Sequence, residues 1–211
     1  INVHIPSRDA RRYINKSWLD LYPGPARPVR KTNQVPLPVG MMVQLQAIAM
    51  IGEKHQSLEI PGLAHRDPLP MGTRIGDMVF SSVIGGDDPK TGQRVEGGAR
   101  AQMDQAFENV RALMEQAGGT KTGVNHMWVF LPRDFTEQKT MLDSYLTMFD
   151  AEGDRPARKT IPYDLPEGNQ IQIQFIGNLG GKRTNFEAPS IGHHDPIPMG
   201  SRVGGVFHSS G

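Results

Sequence analysis

Residues 193–200 read HHDPIPMG, and two histidines beside an aspartate are the donors that bind a transition metal or pass a proton near neutral pH. The same pattern stands far upstream, where 65–72 read HRDPLPMG and keep only one of the two histidines. A metal needs three or four converging ligands. His65, Asp67, His193 and Asp195 have no further histidine or glutamate at helical spacing to complete a set, so no metal is expected. What the two stretches share is descent: they are copies.

Aligning 54–82 with 182–210 takes no gap and gives 13 identities in 29 positions, the mark of an internal duplication. At the same offset RKTNQVPLPVGMMVQLQ (30–46) falls on RKTIPYDLPEGNQIQIQ (158–174), and with a small adjustment WLDLYP (18–23) falls on YLTMFD (145–150). The unit is a module of which one complete copy spans 54–181. Residues 1–53 match the back half of a module, and 182–211 match the front. Counterparts of about residues 84–126 are missing between the two partial copies, and both chain ends fall inside a module. With Ile1 where a methionine would stand, the pattern is that of a fragment or a processed chain.

Composition narrows the partners. With 23 basic and 22 acidic residues the net charge is +1, which leaves no global field to recruit nucleic acid or an anionic membrane. The absence of cysteine excludes disulfides, thiolate nucleophiles and cysteine-based zinc sites. Nothing resembles a signal peptide or a span of about 20 apolar residues. A cytoplasmic protein is the default expectation.

The elements that must position any site are legible in the complete copy. RIGDMVFSSVIG (74–85) has the β-branched and apolar content of a strand, and DDPKTGQ (87–93) supplies turn chemistry after it. From Ala99 to Gln116 the apolar residues Met103, Ala106, Phe107, Val110, Leu113 and Met114 recur at three- and four-residue spacing, which predicts a helix stopped by Gly118-Gly119. HMWVFLP (126–132) predicts a core strand. A second helix is expected from about Thr136 to Phe149, and Ile171, Ile173 and Phe175 alternate with glutamines as a strand with one apolar face. The order implies an α+β sheet with helices packed on one face.

Taken together, FSSVIGGDDPKTGQ (80–93), QAFENVRALMEQAG (105–118), the strand MWVFL, RPARKT (155–160) and LPEGNQIQIQFIG (165–177) resemble the Rid family, the YjgF-type reactive-intermediate deaminases. The resemblance covers the complete module and both partial ones. It implies chorismate-mutase-like α+β modules in tandem, homo-oligomeric assembly with threefold or pseudo-threefold packing, and clefts between neighbouring modules. The implied reaction is hydrolysis of a small carboxylate-bearing enamine or imine to a ketone and ammonia, with no cofactor. It also carries the family's substrate-carboxylate arginine onto Arg30 in PVR and Arg158 in PAR, with Thr32 and Thr160 beside them among the substrate-binding residues. A guanidinium presents a planar fork of donors that matches a carboxylate, which lysine does not.

Departures from the family pattern separate the copies. A Ser-Gly pair that holds substrate falls on Ser210-Gly211, where the complete module has Ser82-Val83, and valine resists the close backbone approach that glycine permits. A helix asparagine falls on Asn15, where the complete module has Leu142. Ser210, Gly211, Asn15 and Arg30 therefore form the full set, and 54–181 reads as a diverged, structural partner; neutral drift is the alternative. In both copies the family's late-strand glutamate is replaced, by Gln46 and Gln174, whose amides can orient water without accepting its proton. The family's tyrosine gives way to Leu69 and Ile197, and His193 and His194 are expected to line the cleft there, where a neutral imidazole could serve as base. Arg30, Gln46 and Asn15 are the expected catalytic groups. A non-catalytic module that binds carboxylate metabolites is the second reading. Ribonuclease action is disfavoured, because RDARR (8–12) and RPVRK (27–31) are the only basic clusters and a helix start and the carboxylate site account for them.

Overall fold

The structure is a computed structural model of residues 1–211, all of which are described except Glu137, Gly192 and His193. The first segment contributes β1 (Asn2–Ile5), α1 (Arg11–Leu21), β2 (Lys31–Gln34) and β3 (Gln44–Gln46). The central segment contributes β4 (His55–Leu58), β5 (Gly72–Ile75), β6 (Met78–Ser81), the short pair β7 (Asp87–Asp88) and β8 (Gln93–Arg94), α2 (Gly98–Gln116), β9 (Val124–Pro132), α3 (Gln138–Met148), β10 (Ala157–Tyr163) and β11 (Gln172–Asn178). The last segment contributes β12 (Arg183–Phe186), β13 (Gly200–Val203) and β14 (Val206–Ser209). Shifted by the repeat offset, these last three strands coincide at both ends with β4, β5 and β6.

The central segment is an α+β unit with a six-stranded mixed sheet in the order β10-β9-β11-β6-β5-β4. Helix α2 forms where the periodicity predicts it, because Met103, Ala106, Phe107, Val110, Leu113 and Met114 fall on one stripe and lose essentially all contact with water. Gly118, at φ +84, ends it in a left-handed conformation that costs glycine nothing. That stripe packs with Met141, Tyr145 and Met148 of α3 against Met127, Val129 and Leu131 of β9 and Ile173 and Phe175 of β11.

One expected strand is two. Residues 74–85 do not run straight: β5 ends at Ile75, Gly76 turns at φ +57, and β6 returns from Met78 with Ile75 paired to Met78. The two-residue Gly-Asp turn reverses the chain because glycine accepts positive φ where a β-branched residue would not. Gly204, at φ +58, makes the same turn between β13 and β14.

The partial segments build separate three-stranded sheets, β2-β1-β3 and β12-β13-β14. Both reach the side chains of β9 that alternate with its helix-facing ones: Lys31 lies over the Phe130 ring at 3.9 Å, and the His208 ring centroid stands 5.4 Å from that of His126. Val29 N–H also donates to Thr73 Oγ1 at 2.9 Å. Burial pushes the Lys31 amine down to about 7, while the rings of Phe130 and Tyr163 favour its charged form. The last segment is further tied by Asn125 Nδ2, which donates to the Val206 carbonyl at 2.9 Å, and by Arg183, which reaches the carbonyls of Thr122 and Val124. No helix among the described residues is long and apolar enough to cross a membrane.

Candidate functional site

Arg30 stands just before β2, with its side chain fully removed from solvent. Trp18 of α1 lies beneath it, with the guanidinium 5.0 Å from the ring centroid. Nη2 donates to Asn15 Oδ1 at 2.5 Å and to Asp67 Oδ2 at 3.3 Å, so a residue of the central segment closes the site. Nε and Nη1 are buried without a hydrogen-bond partner among the described residues, as is Thr32 Oγ1 nearby in sequence. Burial lowers the Arg30 pKa, and the Asp67 charge works against that shift.

Asp67 is the most heavily bonded carboxylate of the site. It accepts from Arg11 Nε at 2.7 Å, from Arg11 Nη2 at 2.5 Å, from Asn15 Nδ2 at 3.1 Å and from Arg30. Partial burial alone would raise its pKa, but the hydrogen bonds from Asn15 and Arg11 and the charges of Arg11 and Arg30 hold it below the ordinary value.

A second site repeats the plan one copy further along the chain. Arg158 is buried, its guanidinium 5.0 Å from the Tyr145 ring centroid, with Nη1 on Thr160 Oγ1 at 2.6 Å and Nη2 on Asp195 Oδ2 at 2.7 Å. Leu142 stands where Asn15 stands in the first site and packs partly buried against the central core. The closing aspartate again comes from the next segment.

The expected groupings are met only in part. Asn15 and Arg30 come together, but Ser210 does not join them. Its hydroxyl accepts from the Arg158 backbone N–H at 3.2 Å and donates to the Pro198 carbonyl at 2.5 Å, so Ser210 stands with Arg158. Clefts between segments mix residues of successive copies, which a comparison of copies position by position does not reveal. A Cβ at Gly211 would meet no protein atom within 4 Å. His193 lies outside the described residues, and His194 is exposed.

Gln46 and Gln174 are not brought to the arginines. Arg158 pairs with Met127 and Met127 with Phe175, which puts these three side chains on one face of the sheet and Gln174 on the other. In the first segment Gln46 shares Asn2 with Lys31, the neighbour of Arg30, and so faces away from it. Both glutamines line a cavity of about 490 Å³ that Trp128, Phe80, His55 and His208 also line.

The group near Arg30 that can accept a proton is His65, which in the sequence stands out only as a metal donor. His65 Nε2 is in hydrogen-bond contact with Ser82 Oγ, and Ser82 Oγ also reaches the Met71 carbonyl at 2.9 Å. A hydroxyl has one proton and a carbonyl can only accept, so Ser82 donates to Met71 and Nε2 donates to Ser82. Nδ1 then carries the free lone pair, and the serine proton is committed elsewhere, which rules out an activated serine nucleophile. Burial holds His65 down to about 4; Asp67 opposes the shift, and Arg11 and Arg30 add to it. The signal for these residues was the repeat itself: Asp67, Arg30, Asp195 and Arg158 recur at one spacing. Among the described residues no three histidine, aspartate or glutamate side chains converge on a metal position.

The depressed histidines give a stability prediction. His65 and His126 both sit at about 4, below the ordinary 6.5, with burial as the leading cause in each. A lowered folded pKa means that the unfolded chain takes up protons first as pH falls. The stability due to neutral burial is therefore complete above about pH 6.5 and drains between there and about pH 4. Melting temperatures across pH 7 to 4 should fall, and His65→Gln with His126→Gln should flatten the slope. A wild-type melting temperature that is level over this window would contradict the assignment.

Comparison with known proteins bears on the fold. Residues 63–177 match the family model described as Endoribonuclease L-PSP. The 2-iminobutanoate/2-iminopropanoate deaminase of Rattus norvegicus is 34% identical over 96 residues, covering 45% of this chain and 68% of that protein. A RutC family protein of Aquifex aeolicus is 28% identical over 115 residues, covering 52% of this chain and 90% of that protein. Among solved structures, RidA from an Antarctic Psychrobacter superposes with TM-score 0.53 at 27% identity, over 58% of this chain and 98% of its own. E. coli TdcF with bound serine gives TM-score 0.54 at 25% identity, over 58% of this chain and 98% of its own.

Proposed function

The chain belongs to the Rid family, that of the Endoribonuclease L-PSP model, and from that premise we propose that its clefts hydrolyse a small carboxylate-bearing imine or enamine to a ketone and ammonia. The observation that carries the reading is the repeated seat: Arg30 and Arg158, each buried, each over an aromatic ring, each reached by the next segment. A fixed guanidinium orients a carboxylate through paired hydrogen bonds and leaves the adjoining imine carbon open to water. Threefold or pseudo-threefold packing of modules, with the clefts between them, is part of the same proposal.

The proton inventory applies to the Arg30 site, where His65 stands, once a substrate carboxylate is on the arginine. Water oxygen adds to the carbon of a protonated imine, the C=N pair moves to nitrogen, and the water proton passes to His65 Nδ1, giving a carbinolamine. His65 returns that proton to the amine; ammonia departs with the C–N pair, the hydroxyl oxygen closes the carbonyl, and its proton goes to ammonia. Burial keeps this imidazole neutral and so able to accept a proton at neutral pH, while its low pKa of about 4 makes it a weak base and limits the rate it can supply.

Ammonia release from 2-iminopropanoate generated in situ tests the proposal. Turnover above background supports it; release at the uncatalysed rate would favour a carboxylate-binding module without chemistry, a reading supported by glutamine at 46 and 174 where the family has glutamate.

A further inference from the structure

Both arginines already hold a carboxylate, and in both it is the chain's own. Asp67 and Asp195 are counterparts in the repeat, as are Arg30 and Arg158, and the same atoms meet in each pair: Nη2 with Oδ2, at 3.3 Å and 2.7 Å. Resting on the reading that these arginines receive a substrate carboxylate, we propose that the aspartate of each Asp-Pro-x-Pro segment is an internal ligand in the carboxylate position. A carboxylate enters a cleft by displacing it.

The two clefts differ in how firmly the internal ligand is held. Asp67 is gripped by Arg11 at 2.7 and 2.5 Å and by Asn15 at 3.1 Å besides Arg30, and its side chain is 15% exposed. Asp195 has Arg158 as its one charged partner among the described residues, and its side chain is 48% exposed. It also lines a cavity of about 360 Å³ together with Arg155, Glu152 and Glu187, so a displaced side chain has room to move there. Apparent affinity scales with the fraction of molecules whose anchor is vacant. The Arg158 cleft therefore fills first, and the Arg30 cleft stays shut until Arg11 lets go. This reverses the ranking read from Asn15: the residue that marked the Arg30 cleft as the working one is part of its lock.

Calorimetry on the full chain separates the outcomes, with 2-oxobutyrate as probe and 2-oxobutanamide as neutral control. Wild type is expected to bind the acid at one site per chain. Asp195→Asn, at a half-exposed side chain, should keep that site and tighten it about tenfold, as the anchor's vacant fraction rises. Asp67→Asn should add a second site. Arg11→Gln, at an exposed arginine, unlocks the same carboxylate without altering it and should do likewise. Amide binding should not respond to any of the three. Unchanged or weaker acid binding by Asp195→Asn overturns the internal ligand and leaves the carboxylate reading standing. No acid binding by wild type or any variant removes the carboxylate reading, and the internal ligand with it.

Discussion

With lysine at both anchors, Arg30→Lys and Arg158→Lys together, binding of 2-oxobutyrate at the one site that fills in wild type is expected to weaken by roughly 2–3 kcal/mol, about 30- to 150-fold. Charge is conserved, so the loss measures geometry. Arg158 splits its donors between Thr160 at 2.6 Å and Asp195 at 2.7 Å while lying over Tyr145. An ammonium has three donors but no planar fork held in fixed geometry, it cannot stack as a plane, and it is more strongly hydrated, so burying it costs more. Calorimetry on the double variant is the check, with a thermal melt to show that it folds. Affinity that survives intact would take both arginines out of the binding site.

Phe107→Ala is expected to cost about 3–5 kcal/mol of stability, the range for emptying an aromatic position in a packed core. Phe107 is 1% exposed on α2 and meets Tyr145 edge-on, with ring centroids 6.1 Å apart. Tyr145 in turn seats Arg158. The cavity therefore opens two contacts away from the anchor, and binding of 2-oxobutyrate at Arg158 should weaken along with stability. Urea unfolding should show the midpoint fall with little change of slope. A loss below about 1 kcal/mol would mean that the core collapses to fill the space.

Helix α2 was readable because its stripe has a single period and a glycine stop, both local properties. The hairpin at Gly76 was not, because Ile75, Met78, Val79 and Phe80 are all compatible with a strand and one glycine among them reads as a flaw in a single strand. Arginine and glutamine were assigned to one site because their sequence positions match a shared pattern. Which face each occupies depends on the register of β10 against β9 and β9 against β11, set by contacts between segments far apart in the chain. Asp67 and Asp195 were noticed as metal donors and set aside for want of more ligands. Their partners are guanidinium groups reached across a segment boundary; the repeat shows that these residues recur together, and only the fold shows that they touch.

In both pairs arginine is given by the earlier segment and aspartate by the later one, so the two faces in contact differ and the joint is polar, like a link in a chain of hooks and eyes. A polar joint does not saturate on pairing. Each added unit offers a fresh hook, and the row ends only by running out of units or by bending until the last hook finds the first eye. In an open row the joints number one fewer than the units; in a closed one they are equal. Closure therefore creates one extra cleft without any new residue, and the count of working clefts in such a protein becomes a property of its curvature.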